Sequence, residues 1–323
     1  MREGGGLSSG RLYVPDRAQL AGSPIVTPRV SVITPSLNQG RFLERAITSV
    51  LSQDFPGTEY VVYDGASTDG SLDILGRYGA RLRWVSEPDR GHAHAVNKGL
   101  RATSGQVIGW LNSDDTYYPG AIRTVWDFFE SHPHVDVVHG EANLIDVYGN
   151  VLERYYTEPW DPERLKQLFY ICQPAAFFRR RVVGRFGDLD ERLQYCLDYE
   201  YWLRLATGGA AFAYLPHMLV GSRLYPENKT LGSRPKVVRE ITAMLRERIG
   251  CVHEMWIFTY AHAMLESKGF THAHPCRFAG ALSGVSLYAS LRWNRRIPRE
   301  VLRTTGQWMG GSARALLGRL FRR

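Results

Sequence analysis

Along the first 140 residues, short apolar runs alternate with amphipathic stretches. Residues 30–34 (VSVIT), 59–63 (EYVVY), 82–86 (LRWVS), 107–111 (VIGWL) and 135–138 are rich in β-branched and aromatic side chains, which predicts five strands. Between the first two, residues 41–53 carry Phe42, Leu43, Ala46, Ile47, Val50 and Leu51 at the spacing of one helix face. Residues 71–78, 92–102 and 119–131 predict three further helices. This alternation predicts an α/β fold of Rossmann-like, doubly wound type with a mostly parallel sheet. Right-handed crossovers would put the strand ends on one edge, where such sheets bind ligands.

The pattern then changes. Residues 141–235 are less regular, with a strand expected at 173–180 (QPAAFFRR), a helix at 198–206 (DYEYWLRLA) and a strand near 211–215. Residues 236–323 read as helical, with Val237, Ile241, Leu245 and Ile249 four apart. The expected organisation is a loose Gly/Ser-rich arm over 1–28, an α/β body over 29–235 in two halves (29–140 and 141–235), and a helical extension over 236–323.

Charge sharpens this division. The chain has 40 Lys/Arg and 32 Asp/Glu, but residues 236–323 hold 15 and 5 of them. The body is therefore slightly acidic and the extension strongly basic. Cys172, Cys196, Cys251 and Cys276 form no CxxC pair, which argues against a disulfide scaffold and for a reducing compartment. The start, MREGGGLSSG, has no apolar signal region, and the uncharged run 278–291 is shorter than the roughly 20 residues a bilayer needs. A cytoplasmic protein is expected.

Candidate chemistry lies just after the strands. Thr34-Pro35-Ser36-Leu37-Asn38 follows the first, Asp64 to Ser71 (DGASTDGS) the second, Glu87 to Gly91 (EPDRG) the third, and Asn112-Ser113-Asp114-Asp115 the fourth. Any one of these could be a turn or a helix cap. Together they bring carboxylates, hydroxyls and glycines to one edge, a donor set suited to Mg²⁺ or Mn²⁺ and to phosphate-bearing substrates. GxxxxGK[ST] and a strand-following GxGxxG are both absent, so neither a P-loop nor a dinucleotide fingerprint is present.

In order, VSVITPSLNQGRFLERAITSVLSQ, YVVYDGASTDGSLDIL, WVSEPDRGHAHAVNKGLRATSGQVIGWLNSDD, QPAAFFRR and DYEYWLRLA resemble the inverting family 2 glycosyltransferases of GT-A fold, over residues 29–230. The resemblance implies transfer of a sugar from a nucleotide diphosphate donor, with UDP- or dTDP-sugars expected. It implies that 29–140 is the nucleotide-sugar half and 141–235 the acceptor half. Thr34, Pro35 and Asn38 would lie beside the nucleotide, with Asp64 accepting from the base N–H. Asp69, Asp89, Arg90, Asn97 and Lys98 would line the donor. In LNSDD, Asp114 would hold the metal, with Asn112, where the family usually has an acid, and Ser113 beside it. Gln173 and Pro174 would line the acceptor side. Arg223 and Tyr225 fall where relatives carry Arg-x-His, so Tyr225 would either contact the site or pack.

The resemblance makes Asp198 the catalytic base, because inverting transfer needs a carboxylate to deprotonate the acceptor hydroxyl. Leu197 replaces the family's Glu, and a helix N-cap role for Asp198 remains open. His272, His274 and Cys276 are spaced like metal ligands, but no fourth ligand accompanies them. The tail 292–323 interleaves nine Arg with Trp293, Trp308, Leu316, Leu317, Leu320 and Phe321, which suits either an anionic membrane surface or packing on the body. No nucleic-acid module is present. The expected acceptor is a glycan or lipid-linked glycan in cell-surface polysaccharide synthesis. Two alternatives are a nucleotidyltransferase and a catalytically silent sugar-nucleotide-binding subunit.

Overall fold

The structure is a computed structural model that describes residues 11–13, 28–79, 81–270 and 273–320. It divides into two compact units, residues 1–160 with 170–225, and residues 161–169 with 226–323. The first unit is built on a ten-stranded sheet. Its strands are β1 (Arg11–Tyr13), β2 (Val30–Ser36), β3 (Thr58–Asp64), β4 (Arg83–Ser86), β5 (Val107–Trp110), β6 (Thr116–Tyr117), β7 (Val137–Ile145), β8 (Val151–Arg154), β9 (Ala176–Arg179) and β10 (Phe212–Arg223). Their order is β1-β4-β3-β2-β5-β9-β7-β10-β6, with β8 pairing β7.

β4, β3, β2 and β5 are mutually parallel. β9 runs antiparallel to both β5 and β7, and β10 is parallel to β7. It follows that β2, β3, β4, β5, β7 and β10 all point the same way, and their C-terminal ends share one edge. The chain passes from β2 to β3 to β4 on one side and then returns to β5 on the other. This makes the gap between the ends of β2 and β5 the topological switch point, where ligands of such sheets bind. Every residue of β2 is buried, as expected of a central strand covered on both faces.

Five of the six described helices of this unit fall where the sequence pattern predicts them, and the one over Arg180–Phe186 is additional. They are α1 (Gly40–Leu51), α2 (Ser71–Tyr78), α3 (His92–Ala102), α4 (Ala121–Ser131), α6 (Arg180–Phe186) and α7 (Leu197–Thr207). α1 buries Phe42, Leu43, Ala46, Ile47 and Val50 and exposes Arg41, Glu44 and Arg45.

The strand expected at 173–180 is only partly one. Pro174 lacks an N–H and has a fixed φ, and residues 173–175 form a 3-10 turn before β9 starts. Two strands are longer than their apolar cores suggest. β7 continues through Glu141 and Asn143 because β8 and β10 pair with it there, and β10 continues past Pro216 and His217 by way of a register shift. Within the expected N-terminal arm, Arg11–Tyr13 is an edge strand on β4; the other residues before 28 lie outside the described residues.

The second unit is helical: α5 (Pro162–Gln167), α8 (Lys229–Gly232), α9 (Arg234–Ile249), α10 (Glu254–Glu266), α11 (Pro275–Asn294) and α12 (Arg299–Leu320). Ala261, Leu265, Phe278 and Leu282 form a core with Ala281, Val285 and Trp308 packed on it. No described helix is long and apolar enough to cross a membrane.

Gly99 lets α3 approach β2, since a Cβ there would come 2.3 Å from Ile33 Cγ2. Gly99→Ala should therefore lower stability by about 1–3 kcal/mol through overpacking. The denaturant midpoint would report the loss; an unchanged midpoint would show that Ile33 moves aside freely.

Candidate functional site

The ends of β2 and β3 are tied to each other. Asp64, only 2% exposed, closes β3 and accepts from Ser67 N (2.9 Å), Ser67 Oγ (2.5 Å) and Ser86 Oγ at the end of β4 (2.7 Å). Asn38 N donates to Ser67 Oγ (2.7 Å), and Asn38 Oδ1 accepts from Thr68 N (2.9 Å). To make these bonds, Asn38 and Ala66 both take left-handed backbone, with φ of 52° and 65°. Non-glycine residues held there cost about 1–3 kcal/mol each and tend to cluster at functional sites. Asp89 Oδ2 lies over Gly65, where a Cβ would come within 2.8 Å of it. Asp89 Oδ1 accepts from Gly91 N at 2.8 Å.

Several residues expected to meet the donor have internal partners. Thr34 is buried in the sheet beside Tyr60 (3.2 Å), and Pro35 pairs with Tyr63 within it. Asp69 accepts from Gly40 N (2.8 Å) at the start of α1, and from Ser71 N (3.2 Å) and Ser71 Oγ (2.6 Å) at the start of α2. Partial burial alone would raise the Asp69 carboxyl, but these bonds outweigh it and hold the group below its ordinary value. Asn97 is buried and grips Leu189, accepting from its N–H (2.9 Å) and donating to its carbonyl (3.0 Å). Glu191 then joins Asn97 Nδ2 (3.1 Å) to Arg90 (2.5 Å), and Lys98 pairs with Glu87 (2.7 Å). Glu191 is a site residue the motifs did not reveal, because it is distant in sequence from both of its partners.

The LNSDD turn after β5 gathers a second set. Asp115 Oδ1 accepts from Arg223 N (2.8 Å), and Asp115 Oδ2 from Asn112 Nδ2 (3.1 Å). Burial, followed by the charge of Asp114, pushes the Asp115 carboxyl up to about 8. Burial also raises Asp114, although Tyr225 OH donates to its Oδ2 at 2.9 Å. Tyr225 packs on Phe42 beneath the Arg41 guanidinium, so it both packs and contacts the site. The Arg223 guanidinium bonds the main-chain oxygens of Asp114 (2.7 Å) and Asp146.

Gln173 Nε2 donates to Trp110 O (2.7 Å), and its Oε1 accepts from Asn112 Nδ2 (2.9 Å). Gln173 and its neighbour Pro174, both buried, therefore support the turn. With Nδ2 committed to two acceptors, Asn112 Oδ1 faces the other way, buried and without a partner. Ser113 is buried beside it.

An orphaned amide oxygen next to two destabilised carboxylates fits a hard divalent cation. Among the described residues, no three His, Cys, Asp or Glu groups gather closely enough to hold a metal by themselves. The set thus suits an ion that takes its remaining ligands from water and substrate phosphates. Of the His272/His274/Cys276 cluster, His272 lies outside the described residues.

Asp198 is the second residue of α7, partly buried, with Oδ1 accepting from Tyr199 N at 2.8 Å. The buried Cys172 thiol is pushed up by desolvation and then by the charges of Asp115 and Asp198. The start of α7 and the end of β5 therefore act on one region.

Residues 31–187 match the family described as Glycosyl transferase family 2. Among curated proteins, the chain is 28% identical to a chondroitin synthase of Escherichia coli over 208 residues, covering 63% of this chain and 30% of that protein. It is 29% identical to a PGL/p-HBAD biosynthesis glycosyltransferase of Mycobacterium bovis over 207 residues, covering 61% of this chain and 77% of that one. The fold is shared with S. aureus TarS 1–349 in complex with UDP (TM-score 0.56, 18% identity, 88% of each chain). It is also shared with the mannosyltransferase PcManGT of Pyrobaculum calidifontis in complex with GDP-Man and Mn²⁺ (TM-score 0.55, 19% identity, 94% of this chain and 87% of that one).

The bonds of Asp69 lead to a pH-dependent expectation. A carboxyl depressed by folding stabilises fully above its unfolded value of about 4 and loses that contribution as pH falls through the folded value. Asp69→Ala should cost about 1 kcal/mol at pH 7, as lost helix caps do. The gap to wild type should narrow as pH is lowered from 7 to 3. Urea midpoints at the two pH values would show this, and a gap as large at pH 3 as at pH 7 would contradict it.

Proposed function

We propose, from the premise that the chain carries a glycosyl transferase family 2 domain over residues 31–187, that it moves a sugar from a nucleotide diphosphate donor to a hydroxyl acceptor with inversion. The observation that carries this reading is the partnerless Asn112 oxygen beside buried Asp115 and half-buried Asp114 at the switch point. The donor diphosphate would lie across the crevice between the ends of β2 and β5, with its base toward Asp64 and Asp89. UDP-GlcNAc in a TarS complex and GDP-Man in the PcManGT complex are nucleotide sugars bound by proteins with this fold. Three bonds to Ser67 and Ser86 leave Asp64 one further lone-pair direction for a base N–H.

Mg²⁺ or Mn²⁺, held by Asp114 and Asn112 Oδ1, would offset charge on the departing diphosphate. Asp198 accepts the proton of the acceptor hydroxyl as that oxygen attacks the anomeric carbon from the side opposite the leaving group. Its bond from Tyr199 N engages Oδ1, which fixes the carboxylate for this task. The acceptor is a glycan or lipid-linked glycan of surface-polysaccharide type, in keeping with the biosynthetic relatives.

The test is Asp198→Asn. Transfer should fall by about 10²–10⁴-fold, the usual worth of a general base, while donor affinity stays within twofold. Near-normal nucleoside diphosphate release by this variant would remove Asp198 from the mechanism. Pyrophosphate as product would indicate a nucleotidyltransferase. Donor binding by wild type with no turnover on any acceptor would indicate a silent subunit.

The basic extension supports a second statement, that the protein binds anionic membrane from the cytoplasmic side. Tyr288, Leu291, Leu302 and Met309 are exposed large apolar side chains. Arg292, Arg295, Arg296, Arg299 and Arg303 are exposed among them. Replacing Arg292, Arg295, Arg296 and Arg299 with Gln should cut sedimentation with phosphatidylglycerol vesicles at least tenfold, given about 1 kcal/mol per basic residue. Unchanged sedimentation would leave these helices without a membrane role.

A further inference from the structure

Along α1 the first unit carries a groove of about 480 Å³ lined by Gly40, Arg41, Glu44, Arg45, Thr48, Ser49, Ser52 and Thr116. Seven of these residues belong to the helical part of the first motif, after its strand-end loop, and none of the eight is among the residues expected to bind donor or metal. The lining recurs every three to four residues, so one face of α1 forms a wall about 18 Å long at 1.5 Å per residue. Arg41 and Arg45 are one turn apart on this face, and both are exposed.

The groove is electrostatically unbalanced. The carboxylate of Glu44 is engaged by Arg77 (2.9 Å) and Tyr78 (3.1 Å). Arg45 spends one donor on Val147 O at 2.9 Å, out of the five a guanidinium offers. After burial, the charge of Arg45 is the next influence lowering the Arg223 guanidinium, so the two cations repel. Arg41 in turn acts on Asp114. A row of cations thus extends from beside the carboxylate pair out along α1.

The hydroxyls complete the description. Thr48 Oγ1 donates to Glu44 O (2.6 Å), and Ser49 Oγ donates to Ala46 O (2.8 Å) while accepting from Tyr117 N (3.1 Å). Their protons are committed, so toward a ligand they can offer lone pairs only. A ligand filling the groove needs an anionic group for the arginines and O–H donors for the serine and threonine oxygens. Carbohydrate carrying phosphate supplies both.

We propose that this groove is an acceptor subsite for a phosphate-bearing glycan. It would hold the phosphate at Arg41 and Arg45 and so direct the acceptor hydroxyl toward the LNSDD turn. The proposal rests on the glycosyltransferase reading, and the following experiment separates the two.

Glucose 1-phosphate, geranyl phosphate and, separately, UDP and GDP with Mn²⁺ are titrated by calorimetry into the full chain and into Arg41→Gln/Arg45→Gln. Glucose 1-phosphate affinity should fall at least tenfold in the double variant, with nucleotide affinity within twofold of wild type. Arg41→Lys/Arg45→Lys, which keeps the charges but loses the planar forks, should fall between and covers the case in which the Gln variant does not fold. Geranyl phosphate binding more tightly than glucose 1-phosphate, and losing affinity in the variant, would support the groove and attach its phosphate to a lipid. If neither nucleotide binds wild type while the phosphate difference persists, the groove stands and the donor reading fails. Absent or unchanged glucose 1-phosphate binding overturns the proposal. So does a parallel loss of nucleotide affinity, which would assign both arginines to the donor.

Discussion

The structure turns on a pair of adjacent carboxylates, one buried and one half-buried. Asp114 and Asp115 follow the central strand β5, and burial raises both. Two acidic groups at such a site are unfavourable unless something compensates them. The compensation comes from parts of the chain far apart in sequence: the Arg223 main chain and the Tyr225 hydroxyl after β10, and Asn112 braced by Gln173. What these bonds leave unsatisfied is the orphaned Asn112 oxygen on the same turn.

The side proposed for the donor is organised by a different means. Asp64 holds the loops after β2, β3 and β4 together through Ser67 and Ser86, and Asn38 closes the circuit at the cost of left-handed backbone. A site assembled this way is formed before any ligand arrives, which favours binding by reducing the ordering still to be done. Asp69 and Asn97 belong to the frame of this arrangement. The first joins the starts of α1 and α2, and the second fixes the Leu189 segment that carries Glu191 to Arg90.

Two departures from the pattern that the sequence resemblance implies lie in one network: Asn112 in place of an acid and Tyr225 in place of a histidine. A neutral amide beside Asp114 adds no negative charge, and a phenol that donates to Asp114 stabilises its carboxylate. Both groups reduce the cost of holding Asp114 and Asp115 side by side.

The order of strands and helices was legible in the sequence because apolar periodicity is a local property. Residues 92–102 read as a helix and are one, and the helix from Arg41 has the buried face its spacing predicts. The motif residues at the strand ends were legible for the same reason: parallel strands joined by right-handed crossovers must end on one edge. Which of those residues are free for a ligand was not legible. Asp69 and Asp89 look equivalent in sequence, yet Asp69 has both oxygens engaged at two helix starts, while Asp89 leans over a glycine. Glu191, the Tyr225 bond to Asp114 and the row of arginines along α1 depend on residues brought together from distant parts of the chain. Sequence alone determined the elements and the edge on which the chemistry gathers. The tertiary structure decided how each polar group there spends its hydrogen bonds, because burial and partner choice exist only once the strands are packed.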